Sequence, residues 1–227
     1  VYRYNPAMDI FKVMDLKTEN GMDMNNWVSN IVADSVGNIW IVIPDQGVFR
    51  YQNEKLYFYE VTNKKHFKTE APDCICVRPN GEVWVGTWGA GLFRYNRETD
   101  KFEQFCIDGA GNLLKGKNIN AICNYGDWIA MAIHEGELMK YNPGTNQLVK
   151  IDIPEANHTF VRNVACFDNE LWVGTHEGLF VVNERKNKIV HLKQDLMRPF
   201  SLSDKIIYTI YRDREGGIWL GTMFGGV

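Results

Sequence analysis

No run of eighteen apolar residues occurs anywhere in the 227 residues of this chain, so no segment reads as a membrane-spanning helix. It opens Val1-Tyr2-Arg3-Tyr4, with neither an initiator Met nor an apolar leader. Any anchor or export signal is therefore expected outside this stretch. Cysteine is sparse: Cys74, Cys76, Cys106, Cys123 and Cys166 form an odd set without a C-x-x-C, which argues against a zinc ribbon and a complete disulfide framework. They are expected to be small buried residues, although in an oxidising compartment one pair could bridge, Cys74 to a neighbouring strand being the obvious case. Charge of one sign is also lacking, since 25 Lys and Arg stand against 28 Asp and Glu. That near balance gives no basis for nucleic-acid binding or direct membrane contact. Serine is scarce, and neither a G-x-S-x-G nor a phosphate-cradling glycine loop is present, so hydrolase and nucleotide-binding readings lapse, and no cofactor, metal or catalytic residue is expected.

What the chain does have is aromatics, 13% of it, and 20 Gly against 7 Pro, a mixture suited to many short strands joined by tight turns. Trp40, Trp84, Trp128, Trp172 and Trp219 are separated by 44, 44, 44 and 47 residues. A second anchor follows each: Gly47-Val48-Phe49-Arg50-Tyr51, Gly91-Leu92-Phe93-Arg94-Tyr95, Gly136 to Tyr141, and Gly178-Leu179-Phe180. The chain thus divides into repeat units of about 1–47, 48–91, 92–136, 137–178 and 179–226 within a single segment spanning 1–227. Aligned on Gly126 and Gly136, the third unit places Ile129 rather than Trp128 at the tryptophan position and makes Glu137 an apparent insertion, so that blade is expected to be distorted.

Each unit reads as four strands, A to D, with turn residues where hairpins need them. The Trp strand is apolar on both faces, as in Val83-Trp84-Val85, so both faces must be covered. No segment of 10–15 residues shows a sustained helical stripe, which leaves other sheets as the cover. Radially stacked four-stranded antiparallel blades satisfy this: an all-β fold, a β-propeller with about five blades present. Gly86, Gly174 and Gly221, two residues beyond their tryptophans, are then expected where a neighbouring blade approaches closely.

Through Asp34-Ser35-Val36-Gly37-Asn38-Ile39-Trp40 and Asp213 to Thr222, each followed by a Gly-Val run, the sequence resembles the two-component regulator propeller repeat. The resemblance covers all five units, with departures at Arg78-Pro79-Asn80-Gly81, at Ile43-Pro44 and in the third unit. It implies the periplasmic sensor region of a hybrid two-component histidine kinase, itself outside this chain, that recognises oligosaccharides from polysaccharide breakdown. It also implies other domains in the same parent chain, a possible homodimer of that parent, and seven-bladed rings. The termini fit either a closed ring of five blades or, as the resemblance favours, about five sevenths of a ring.

Propellers gather their B–C and D–A connections on one face, around the channel mouth. The B–C connections hold Asp45, Trp88, His134-Glu135 and His176-Glu177. Trp88 would stack on a sugar ring, and the His and carboxylate side chains would bond its hydroxyls; the competing reading is that all six are ordinary turn residues. The D–A connections are the longest and vary most, and stretches such as Lys64 to Lys68 and Lys115-Gly116-Lys117 would suit an acidic glycan or be plain solvated lysines. Two alternatives in other classes are a secreted propeller lyase or hydrolase, and a spacer whose ligand contacts lie on an adjoining domain.

Overall fold

A computed structural model of the chain describes residues 2–14, 16–24, 27–61, 71–105, 114, 116–156 and 159–227, with nothing said of the side chains of Glu135 and Glu155. It contains four complete four-stranded antiparallel sheets, each a meander in sequence order. The first is β3 (Asn30–Ala33), β4 (Ile39–Ile43), β5 (Gly47–Gln52) and β6 (Lys55–Tyr59). The second is β7 (Pro72–Val77), β8 (Val83–Thr87), β9 (Gly91–Asn96) and β10 (Lys101–Gln104). The third is β11 (Ile119–Tyr125), β12 (Trp128–Ile133), β13 (Glu137–Asn142) and β14 (Gln147–Lys150), and the fourth β15 (Val161–Phe167), β16 (Glu170–Thr175), β17 (Gly178–Asn183) and β18 (Lys188–Leu192). A hairpin stands at each end, β1 (Tyr2–Asn5) with β2 (Ile10–Val13), and β19 (Ile207–Arg212) with β20 (Ile218–Thr222).

The core is a series of layers between blades. Trp40, Val42 and Tyr59 of the first blade pack on Val85, Phe93 and Tyr95 of the second. Trp84 and Leu92 then meet Ile119 and Met131, Ala130 and Leu138 meet Val164 and Phe180, and Leu179 meets Ile207. The first strands of successive blades lie against one another, so they form the inner edge of a radial stack, and each long D–A connection runs from the outer strand of one blade to the inner strand of the next. This is why the tryptophan strand is apolar on both faces: β8 is buried along its whole length. Among the described residues no helix is long and apolar enough to cross a membrane.

Repeat residues lock the first blade and the C-terminal hairpin locally. Asp34 Oδ1 accepts from the Val36 and Asn38 amides at 3.1 and 2.8 Å, and Oδ2 accepts from the Trp40 indole at 3.2 Å. Asp213 does the same for Glu215, Gly217 and Trp219, the last at 2.6 Å. Where the turn departs, the lock is missing: Arg78 replaces the aspartate in the second blade, and the Trp84 Nε1 is buried without a partner among the described residues. The fourth blade closes instead on Asp168 and Asn169, both at positive φ, a two-residue hairpin turn that leaves the Trp172 indole equally unpartnered. Arg50 and Arg94 cover the faces of Trp40 and Trp84 at 5.5 and 5.7 Å, which accounts for the recurrent arginine of strand C.

The third blade departs from its sequence alignment. Ala130 pairs with Cys123 and Lys140 as Trp84 pairs with Cys76 and Arg94, so Ala130, not Ile129, holds the tryptophan position. Glu137 pairs with Ile133 as Gly91 pairs with Thr87, so it replaces the glycine and is not an insertion. The cause is a shorter A–B turn, Gly126-Asp127, which moves the alignment by one residue. Trp128, two residues upstream on the same strand face, packs beside Ala130, and Lys140 covers its ring at 4.9 Å.

The three glycines behave as expected in two cases. A Cβ on Gly174 would meet Ile207 of the following strand pair at 3.0 Å, and one on Gly86 would meet Ile119 of the third blade at 2.7 Å and Cys74 Sγ at 2.5 Å. At Gly221 the obstacle is Thr209 of the same hairpin. Gly86→Ala is expected to destabilise the chain by about 1–3 kcal/mol through overpacking, read as a lowered midpoint in chemical denaturation. Cys74, Cys76, Cys123 and Cys166 are free thiols, and burial pushes that of Cys76 up to about 12, far from the reactive thiolate range. Cys106 lies outside the described residues.

Candidate functional site

The B–C turns are tied to the ends of the D–A connections by one repeated backbone bond. The amides of Trp88, His134, His176 and Met223 donate to the carbonyls of Ala71, Asn118, Phe160 and Ile206 at 2.7, 2.9, 3.1 and 3.1 Å. Both sets of connections therefore share one face. In the second and fourth blades a strand-end threonine also closes the turn, Thr87 Oγ1 donating to the Gly91 carbonyl and Thr175 Oγ1 to that of Gly178; Ile43 and Ile133 stand at the matching positions of the other two.

On this face four rings form a continuous row across three blades. The Trp88 and His134 rings lie 4.8 Å apart, His134 and Phe160 4.8 Å, and Phe160 and His176 5.2 Å, the first two pairs edge to face. Trp88 is 39% exposed and Phe160 40%, so the row presents ring surface to solvent. Such half-exposed aromatics flanked by polar groups suit a ligand with both apolar faces and hydroxyls.

His176 Nε2 accepts a hydrogen bond from Arg162 Nε at 2.8 Å, which requires that nitrogen to be unprotonated and puts the ring proton on Nδ1. Burial, together with the positive charges of Arg162 and Lys205, holds the His176 pKa below its usual value against the opposing charge of Glu177. The imidazole is thus kept neutral and accepting. Among the described residues His134 Nδ1 is buried without a hydrogen-bond partner.

Of the six residues singled out from sequence, Trp88, His134 and His176 are brought together. Glu177 is exposed beside them, its carboxylate 3.8 Å from Lys205 Nζ. Asp45 is exposed in the first-blade turn, and the Glu135 side chain lies outside the described residues. So do residues 62–70, with the basic run proposed there, and Lys115, whereas Lys117 of the second run pairs with Glu137 at 3.1 Å.

Sequence reasoning missed Phe160 and Arg162. It also missed a recurrent feature of the inner strands: the ladder shifts register between Pro72 and Cys74, Ile119 and Ala121, Val161 and Asn163, and Ile207 and Thr209. Each shift leaves one unpaired residue, Asp73, Asn120, Arg162 or Tyr208, turned out of the sheet as bulges do. Asp73 is largely buried, and desolvation pushes its carboxyl up to about 6 although the nearby Arg162 charge pulls it down. The one sequence signal that could have found these residues is their spacing, 47, 42 and 46, among positions that do not fit the apolar alternation of the strand.

Stacked four-stranded blades around an inner edge of first strands make this chain a β-propeller. Residues 201–224, which hold the Asp213 to Trp219 lock, match the family described as two component regulator propeller, and the same lock recurs at Asp34 and Trp40. Among solved structures, the chain is similar to the extracellular domain of BT4673 from B. thetaiotaomicron, described as a one component system, at 23% identity and a TM-score of 0.76, over 96% of this chain and 28% of that one. It is similar to the extracellular domain of the hybrid two component system BT3049 from the same organism at 20% identity and 0.71, over 98% and 29%. The Cps50 (Swd1) β-propeller domain of Myceliophteria thermophila follows the same fold at 12% identity and 0.61, over 87% and 63%. The chain spans under a third of the two bacterial domains. No curated protein matches it.

Proposed function

We propose that this chain is a non-catalytic ligand-recognition module in the periplasmic part of a hybrid two-component sensor, and that its ligand is an oligosaccharide released by polysaccharide breakdown. The observation that carries the reading is the row Trp88, His134, Phe160 and His176, where ring faces alternate with imidazole nitrogens on a face built from rigidly tied turns. Sugar rings offer C–H faces for stacking and hydroxyls for hydrogen bonds, which is the complement of such a surface. The similarity in fold to extracellular domains of bacterial signalling systems supports the sensor role and the periplasmic location, with the remaining domains and a homodimeric parent as its partners. The outer faces of the terminal hairpins leave Phe11 and Trp219 exposed, where the interior blades bury the corresponding surface, and we read the stack as part of a seven-bladed ring.

Titration of the full chain with an oligosaccharide panel should give saturable binding without new products. Trp88→Ala is expected to weaken that binding by about tenfold, the loss of one well-placed aromatic anchor. Release of shortened or unsaturated products would overturn the reading in favour of a carbohydrate-active enzyme. Unchanged affinity in Trp88→Ala would place the ligand elsewhere on this chain, and no binding at all would move it to an adjoining domain.

A further inference from the structure

We propose that Arg162 is an oxyanion receptor on this face, so that the oligosaccharide bound there carries an acidic group, a carboxylate or a sulfate ester. The inference rests on the sugar-binding reading above and adds the charge of the ligand.

Ser29, Asp73, Asn120, Arg162 and Tyr208 occupy the same ladder position in five successive inner strands, one place before the pairing to the tryptophan strand resumes. Two of them are used to join blades. Ser29 Oγ donates to the Asp73 carbonyl at 2.8 Å, and Asn120 Nδ2 donates to the Val161 carbonyl at 3.1 Å. Arg162 does not serve this purpose. Its Nε is given to His176, and its guanidinium lies over the Tyr208 ring at 5.1 Å and near that of Phe160 at 6.0 Å.

The plane of the guanidinium is therefore held from one edge and one face, while among the described residues neither terminal nitrogen has a hydrogen-bond or ion-pair partner. A planar cation with its fork fixed and unpaired matches the two oxygens of a carboxylate or sulfate. It also borders the ring row, so an anion held on the fork leaves its sugar ring against Phe160 and toward His134 and Trp88. Lys205, which acts electrostatically on His176, adds a second positive charge beside it. Glu177, paired with Lys205 at 3.8 Å, and Asp73 are the anions nearby, and Asp73 forms no ion pair with Arg162 among the described residues. A neutral His176 is consistent with this arrangement, because its unprotonated Nε2 is what anchors the Arg162 Nε.

The test titrates the full chain with three sets of oligosaccharides of matched length: neutral, uronate-containing and sulfated. At least one acidic set should bind about tenfold or more tightly than the neutral set, with affinity falling as salt is raised. Arg162→Gln should bring the ratio of acidic to neutral affinity down to about one. Arg162→Lys should retain part of it, because the charge survives without the fork. The uronate and sulfate arms decide which oxyanion is read. If Arg162→Gln fails to fold, the acid-to-neutral ratio and the salt dependence of the unmodified chain still decide. Neutral ligands binding as well as acidic ones, or an unchanged preference in Arg162→Gln, would overturn the role of Arg162 alone. No binding by any of the three sets would overturn the sugar site itself.

Discussion

Trp40→Ala is expected to cost about 3–5 kcal/mol, the range for deleting a buried tryptophan, whereas Trp219→Ala should cost about 1 kcal/mol or less. The two residues share the same motif and the same bond from indole to aspartate. They differ in what lies beyond the blade. Trp40 is 1% exposed, with Tyr59, Tyr95 and Phe102 within ring contact and Arg50 across its face; Trp219 is 53% exposed. If the fold derives its stability from layers between blades, as in stacked repeats generally, burial by the neighbouring blade sets the cost and the local lock contributes only a small common part. Urea denaturation of the two variants beside the parent chain measures the difference. Equal losses would mean that the Asp-to-Trp turn, not blade stacking, is the source.

Asp73→Asn should act in the opposite direction and stabilise the chain by about 3 kcal/mol at pH 8 while changing little at pH 4. The carboxyl keeps its proton up to about 6 in the folded chain and releases it near 3.8 when unfolded. Its contribution is therefore fully present below pH about 4 and is lost as pH rises through 6, and the span between the two values corresponds to about 3 kcal/mol. Asparagine has a similar shape and cannot ionise, so it should retain the low-pH stability throughout. Denaturation midpoints of both chains at pH 4, 6 and 8 test this: the gap should open between the first two and be full at the last. A constant gap would show that shape, not charge, separates the two residues.

The repeat was legible because its physics is local. The Asp34 and Asp213 turns each close within seven residues, and the first two blades carry their tryptophan, glycine and strand C arginine at the same distances, so the same letters recur at the same spacing. The face carrying Trp88, His134 and His176 was legible for the same reason, since B–C turns recur with the period. Ala130 was not. Shortening one turn by a residue leaves the glycines looking aligned while the ladder beneath them moves, and only strand pairing reveals which side chain faces the next blade.

Phe160 and Arg162 were hidden more deeply. Each comes from the entry to an inner strand rather than from the turn that carries the histidines. Arg162 reaches its place through a one-residue bulge, and a bulge is a property of two strands' register that neither strand encodes alone. The sequence by itself determined that this chain is an all-β stack of repeating blades without long apolar runs or a catalytic motif, because turn chemistry and strand periodicity act over a few residues. The tertiary structure decided which residues meet on the face of the ring row, because blade adjacency and hydrogen-bond register bring together residues about 45 apart and turn one side chain per blade out of the sheet.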